Sequence, residues 1–414
     1  MKKHVKLLSL LLSLCIMMTC FAACGNSKNP AASGTDVPET DETPAVSGET
    51  IKIGLLGNTT GDNSQYGIAV FNGAKLYIDE VNAAGGINGK LIEVVEYDEE
   101  GDSQKAITGY NSLVDSGVAG IIGSVLTAPT VAAVSVAYED NMPMISASAT
   151  ASAVTYNEES DTVYSNMFRS CFIDPYQGEI MATFAKEELG AATAAVLVNS
   201  GSDYSVGVAA AFVETCNELG IEVVASENYA GSDTVDFASQ LTNIAAKNPD
   251  VLLIPDYYNI IALVAEQAAD AGLKTALLGV DGWDTVADYV TDLSLLDGAY
   301  YCAGYSTEDT SDAVQGFISN YEAKYGDTPN MFSAQAYDAA AIIVAAMTKV
   351  DTEAPELEVG SDEYRQAVVD AMKATDADFV TGHVTYDEYN NPQKTAAIIG
   401  FADGASSFWG NFGA

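Results

Sequence analysis

Small hydroxyl residues recur where two short apolar runs end. Ser124 and Thr127 follow residues 119–123, and Ser146, Ser148 and Thr150 close and follow residues 144–146. Hydroxyls and backbone N–H groups gathered at a helix start hold a small anion, such as a carboxylate, without a fixed positive charge. A second set of polar and aromatic residues follows apolar runs farther along. Ser202, Asp203 and Tyr204 come after 194–199, Asp256, Tyr257 and Tyr258 after 251–254, and Asp281 and Trp283 after 277–280. Asp281 follows its apolar run directly, and Gly282 beside it lets the backbone approach a ligand closely. Asp256 and Trp283 rank below the others, and Asp203 and Asp284 read as capping or solvated acids.

Other chemistries fit poorly. Past residue 23 the chain has one histidine, His383, far in sequence from the hydroxyl loops, and GxSxG is absent, so a Ser-His-Asp triad lacks a base. The Gly-rich stretch GNTTGDNSQYG, ending at Gly67, matches neither GxxxxGK[ST] nor GxGxxG, so it is no phosphate cradle. Cys171, Cys216 and Cys302 have no close spacing, which argues against a zinc site and leaves buried thiols or a single bridge. No cofactor or metal is expected. A formal charge of −41 with 17 Lys plus Arg excludes nucleic acid as a partner.

The elements that position these residues alternate regularly. Strands at 51–56, 91–97, 119–123 and 144–146 are separated by helices at 68–83, from about 103 to 116, and from Thr127, as the cap, to about 141. A second series begins at Asp174-Pro175, with a helix through 189. Strands then fall at 194–199, 222–225, 251–254 and 277–280, with a loop at 200–207 and helices to 219, at 237–247 and at 260–271. This is the pattern of an α/β fold with two doubly wound parallel-sheet lobes. Strand ends decorated in both lobes imply a cleft between them, a common place for a small-molecule site.

The N-terminus reads as an address. Lys2, Lys3, His4 and Lys6 precede an apolar run over 7–18, too short to span a bilayer as a lasting helix. Phe21-Ala-Ala-Cys24 then resembles the lipobox of bacterial lipoproteins, with Phe in place of the usual Leu. Processing there makes 1–23 a signal peptide and Cys24 the lipidated residue. Residues 24–50, poor in large apolar side chains, form a disordered acidic tether.

TGDNSQYG, GGING, YDEEGDSQKA, YEDNMPMISASAT, FRSCFIDPYQG, DAGL and TGHVTYDEYNNP, in this order, resemble the branched-chain amino acid (Leu/Ile/Val) receptors of ABC importers. These are type I periplasmic binding proteins, and the likeness covers 51–414. It implies two lobes joined by three crossovers, near Phe172, Gly304 and Gly382, that close on a ligand like a hinged trap. Lobe 1 is expected at 51–172 plus 304–381, and lobe 2 at 173–303 plus 382–414. Carried over, Thr127, Ser148 and Thr150 match positions that hold the ligand carboxylate and part of its amino group, and Tyr66 matches a cleft-wall position. Tyr204 and Tyr257 match residues that close over the ligand, and Asp281 matches the acid for the ammonium, where well-known members have Glu. Gly101 and Leu126 stand where some members have a disulfide. The resemblance implies no enzyme but a monomeric lipoprotein, anchored outside the cell membrane, that hands an aliphatic amino acid to permease subunits. A sensing module, or a receptor for another small carboxylic acid, is the alternative.

Overall fold

The computed structural model describes residues 48–231 and 233–413. Cys24, the signal peptide and nearly all of the tether therefore lie outside the described residues. Two parallel sheets organise the rest. The first series runs β1 (Thr50–Gly57), α1 (Ser64–Ala83), β2 (Leu91–Asp98), α2 (Ser103–Asp115), β3 (Gly120–Ile122), α3 (Thr127–Ala137) and β4 (Met144–Ser146). A small hairpin of β5 (Tyr156–Asn157) and β6 (Thr162–Val163) precedes β7 (Met167–Arg169). The strand order is β2-β1-β3-β4-β7, all parallel. Strands buried on both faces need continuous apolar runs, and β3 is fully buried.

The second series comprises α4 (Asp174–Glu187), β8 (Thr193–Asn199), α5 (Asp203–Glu218), β9 (Glu222–Tyr229), α6 (Ala238–Ala245), β10 (Val251–Leu253), α7 (Tyr258–Asp270), β11 (Ala276–Gly279) and β12 (Tyr300–Ala303). The chain then returns to the first lobe with α8 (Asp312–Tyr325), α9 (Met331–Glu353), α10 (Asp362–Lys373) and a hairpin of β13 (Asp376–Phe379) and β14 (Gly382–Thr385). It ends with β15 (Ala396–Ala402) and β16 (Ala405–Phe412), which add antiparallel to β12 and complete the order β16-β15-β12-β11-β10-β8-β9.

Both sheets thus repeat one winding: the first strand has the second on one side and the third, fourth and fifth on the other. The strand order reverses between β1 and β3 in one lobe and between β8 and β10 in the other. Ligands bind outside the carboxyl ends of strands at such switch points. Tyr66, Thr127 and Tyr204, Tyr257 follow those four strands, while Ser148, Thr150 and Asp281 follow the next strand in each sheet.

Several details depart from the sequence expectations. Thr127 is the first residue of α3 and Leu126 its N-cap, so Thr127 does not cap the helix; α3 also ends at Ala137, short of 141. The loop expected over 200–207 is helical from Asp203, which puts Tyr204 in a first helical turn. β9 continues to Tyr229 instead of stopping at 225, its polar alternation being that of a half-exposed edge strand. The third crossover lies beyond 382. The β13–β14 hairpin and the turn after it stay on the first lobe, where Tyr386 Oη donates to Arg169 O at 2.9 Å and Asn390 Nδ2 to Met167 O at 3.0 Å. Even Lys394 is still tied there: its ammonium donates to Thr381 Oγ1 and lies 4.0 Å from the buried Asp338 carboxylate. Cys171, Cys216 and Cys302 are buried free thiols. α9 has the length and hydropathy of a membrane span, yet 83% of its apolar window is buried inside the protein, so it is a core helix.

Close packing of α1 against α9 holds the first lobe. A Cβ at Gly73 would lie 2.0 Å from Ser333 O, a backbone atom that cannot swing away. Gly73→Ala is therefore expected to destabilise by about 1–3 kcal/mol through overpacking. Gly316→Ala on α8, where a Cβ meets nothing within 4 Å, should instead stabilise by up to about 1 kcal/mol. Urea titration of both variants checks the contrast.

Candidate ligand-binding site

Residues from both lobes enclose a pocket of about 270 Å³, lined by Tyr66, Val125, Leu126, Thr127, Ser148, Thr150, Tyr204, Tyr257, Asp281, Gly282 and Phe332. All seven first-ranked candidates are in that lining.

The first lobe supplies donors. Leu126, as N-cap of α3, offers no side-chain acceptor, so the first amides of the helix are left for a partner from outside it. The helix dipole makes that partner an anion. Ser148 Oγ donates to Val125 O at 2.7 Å, and the Thr150 hydroxyl bonds to Asp174. Ser124 and Ser146 take no part in the lining. Ser146 Oγ donates to Ser124 O at 2.8 Å, and Ser124 Oγ donates to Glu99 Oε1 at 2.9 Å. Burial pushes Glu99 up to about 7 despite that bond.

The second lobe supplies the acid. Asp281 opens a 3₁₀ turn after β11, and its Oδ1 accepts from Tyr204 Oη at 2.6 Å and from Gly282 N at 2.9 Å. Its own amide donates to Gln177 Oε1 at 2.9 Å. Burial outweighs these bonds and pushes its pKa up to about 6. Tyr204 and Tyr257 stack with centroids 5.3 Å apart and planes 4° from parallel, forming one wall. Leu126, Val125 and Phe332 make the apolar remainder.

The two lower-ranked candidates lie apart. Asp256 is spent within its lobe, holding Tyr229 Oη, Asn199 Nδ2 and Tyr257 N, and it faces an outer groove at the cleft mouth with Asp62, Glu100 and Asp203. Trp283 is fully buried: its ring lies where a Cβ on Gly279 would be, 2.2 Å away, and its Nε1 donates to Ile254 O at 2.8 Å. Asp284 is a helix cap rather than a solvated acid, accepting from Met331 N at the start of α9 at 2.8 Å.

The sequence reading did not single out the apolar lining residues Val125, Leu126 and Phe332, nor Asp174 beside the pocket. Phe332 sits in the first turn of α9, where the cap Asn330 ahead of an apolar run was the available signal. Asp174 opens α4 at the first crossover, fully buried, with burial first and the Asp281 charge second among the influences pushing its pKa well up. Its Asp-Pro helix start was visible, but its proximity to Asp281 depends on the crossover path. Arg169 is buried nearby, yet its guanidinium is already committed to Ala149 O and Asn391 Oδ1, each at 2.8 Å, and to Thr155 Oγ1 at 3.0 Å. The pocket lining contains no basic side chain.

An acid raised from 3.8 to about 6 in the folded state holds an extra proton there between those values. Stability thus falls as pH rises through that window, and the full penalty is present above it. Ligand-free Asp281→Asn should therefore exceed the wild type in stability at pH 7.5 by up to about 2–3 kcal/mol, with the difference gone near pH 4. Urea midpoints at the two pH values measure this.

Over residues 50–405 the sequence matches the family described as "Periplasmic binding protein". It is 28% identical over 346 residues to the "Leucine-, isoleucine-, valine-, threonine-, and alanine-binding protein" of Pseudomonas aeruginosa, covering 83% of this chain and 87% of that one. It is 26% identical over 350 residues to the "Leu/Ile/Val-binding protein" of Escherichia coli, covering 82% and 87%. Among solved structures, the branched-chain amino acid transporter substrate binding protein LivJ of Streptococcus pneumoniae, in complex with isoleucine, is 30% identical. It superposes with a TM-score of 0.77 over 87% of this chain and all of that one (100%). The chain belongs to the periplasmic binding protein family, in the company of its type I, Leu/Ile/Val-binding members.

Proposed function

We propose that the protein is an extracytoplasmic receptor of an ABC importer that captures an aliphatic amino acid between its lobes. The observation that carries this reading is the polarity of the pocket. An uncapped helix start with Thr127, Ser148 and Thr150 faces a buried acid, Asp281, inside an otherwise aromatic and aliphatic enclosure. The carboxylate of a zwitterion goes to the free amides at the α3 start, beside Ser148 and Thr150, whose hydroxyls are held by Val125 O and Asp174, and the ammonium goes to Asp281 with Asp174 behind. A small acid without an amino group would meet two carboxylates and no free cation. A dicarboxylate would place a second charge among Phe332, Val125 and Leu126, where a buried unpaired charge is very costly. The names of the Pseudomonas and Escherichia relatives, and the isoleucine in the Streptococcus complex, support an aliphatic side chain. A sensing role shares the same pocket and differs only in the downstream partner.

Asp281 must be ionised to hold an ammonium, and burial sets its pKa at about 6. Affinity for leucine, isoleucine and valine should weaken about tenfold between pH 7.5 and pH 5, because only about a tenth of the protein then has the competent charge. Binding of the matching 2-keto acids should not weaken. Asp281→Asn should cost the amino acids at least about 30-fold in affinity, the loss of one partner of a buried charge pair. Calorimetry with both ligand classes decides. Equal losses for amino and keto acids would make Asp281 structural, and keto acids binding alone would overturn the amino-acid reading.

The Phe21-Ala-Ala-Cys24 sequence supports a lipid anchor on Cys24, and two acyl chains suffice for stable attachment. Cys24→Ala should release the protein from the membrane fraction, or leave it unprocessed, with ligand affinity unchanged. Persistent lipid labelling of that variant would rule the anchor out.

A further inference from the structure

The lobes exchange helix caps across the cleft. α7 begins after Tyr257, which supplies no side-chain cap, and the first amide of the helix, Tyr258 N, donates to Tyr66 Oη at 3.2 Å. Tyr66 belongs to α1 of the other lobe. The same hydroxyl donates to Gly282 O at 2.6 Å, so it bridges two second-lobe backbone groups at once. In the reverse direction, Asp284 of the second lobe accepts from Met331 N at the start of first-lobe α9. The next residue of α9, Phe332, packs on the Tyr66 ring at 4.6 Å and holds it in place from its own side.

We propose that the Tyr66 hydroxyl and the Asp284 carboxylate are latches: each completes a helix N-terminus in the opposite lobe only while the cleft is shut. The turn 281–284 connects them to the ligand. Asp281 is the acid for the ammonium, Gly282 N is held by Asp281 Oδ1 and Tyr204 Oη, and Gly282 O receives Tyr66. One residue thus has its N–H in the ammonium site and its carbonyl on the latch. A side chain at 282 would break this, since a Cβ there falls 2.5 Å from Asp256 O and 2.7 Å from Tyr204 Oη. A charge that orders Asp281 orders the carbonyl that Tyr66 must meet. Opening the lobes strands an amide on α7 and another on α9, which water then has to satisfy.

This inference rests on the capture reading for its ligand but not for its geometry. The test is stopped-flow binding of leucine, isoleucine and valine to Tyr66→Phe, which keeps the ring against Phe332 and removes only the hydroxyl. Dissociation should quicken by between roughly five- and 150-fold, the range for two lost buried hydrogen bonds. Association should stay within about twofold, and the loss should be the same factor for all three ligands. Asp284→Ala should act in the same direction; because Asp284 also accepts from Thr285 N in its own turn, only the Tyr66 variant is decisive. An unchanged dissociation rate overturns the latch. So does a loss that varies with the ligand side chain, which would place the hydroxyl on the ligand. If the wild type bound none of the three, the capture reading would fail and scattering of the ligand-free proteins would judge the latch by itself. A more open Tyr66→Phe profile supports it, and identical profiles overturn it.

Discussion

An acid buried without a cation governs this molecule. Asp281 is held by a tyrosine hydroxyl and by its neighbour's amide, all dipoles and no charge. Asp174 lies close enough to raise its own proton affinity through the Asp281 charge, and the nearby guanidinium of Arg169 has its hydrogens committed elsewhere. Hydrogen bonds lower the cost of burying a carboxylate but do not remove it. Shutting the cleft therefore traps a negative charge that only something from outside can neutralise. In the proposed capture of an amino acid the ligand ammonium does so, and differential affinity for the two states is the sole means by which a ligand shifts a closing equilibrium.

Two helix starts at the cleft, those of α3 and α7, lack a side-chain cap and are left in need of partners. Some helices are capped by their own chain, α5 and α9 of the cleft among them: Asp102 for α2, Ser202 for α5, Ser311 for α8, Asn330 for α9 and Ser361 for α10 each accept from a first-turn amide. α1, α3, α4 and α7, whose starts carry Tyr66, Thr127, Asp174 and Tyr258, have N-caps without a side-chain hydrogen bond. An uncapped start costs about 1 kcal/mol, and here that deficit is placed where the opposite lobe or a ligand can correct it. Tyr66 corrects α7 from across the cleft, and the α3 start has no side-chain partner, which suits the carboxylate of the proposed ligand. At α3 and α7 the most local rule of helix formation is relaxed at the cleft itself.

Much of this was legible because it depends on residue type and order. Alternating strands and helices fix the doubly wound sheets, and the strand order then sends Tyr66, Thr127, Tyr204 and Tyr257 to the switch points. What was not legible depends on paths between lobes. Trp283 looks like a ligand platform beside Asp281, yet a 3₁₀ turn swings it onto Gly279 in the core. Asp256 looks like a second acid for the cleft, but β9 runs longer than its alternation suggests and delivers Tyr229 to it. Phe332 comes from an element more than two hundred residues from Tyr66 in sequence, brought there by the packing of α9 on α1. Gly382 has the positive φ of a hinge, 107°, but serves a hairpin, and the chain leaves the first lobe only after the buried Lys394.

Lys394 and Asp281 together show the two ways the protein handles buried charge. Asp338 receives Val380 N and Thr381 N at 2.9 Å each and faces the Lys394 ammonium, so at the last crossover a carboxylate is fully coordinated by the chain itself. Breaking one side of such a pair is strongly destabilising, which fixes the path of the strand leaving the first lobe whatever the cleft does. At Asp281 the coordination stops one partner short. A pivot must hold its geometry while the lobes move, so its charges are paired internally. A site must gain something from its ligand, so its charge is left unpaired. The same chemistry, completed in one place and withheld in the other, separates the part that guides the motion from the part that responds to it.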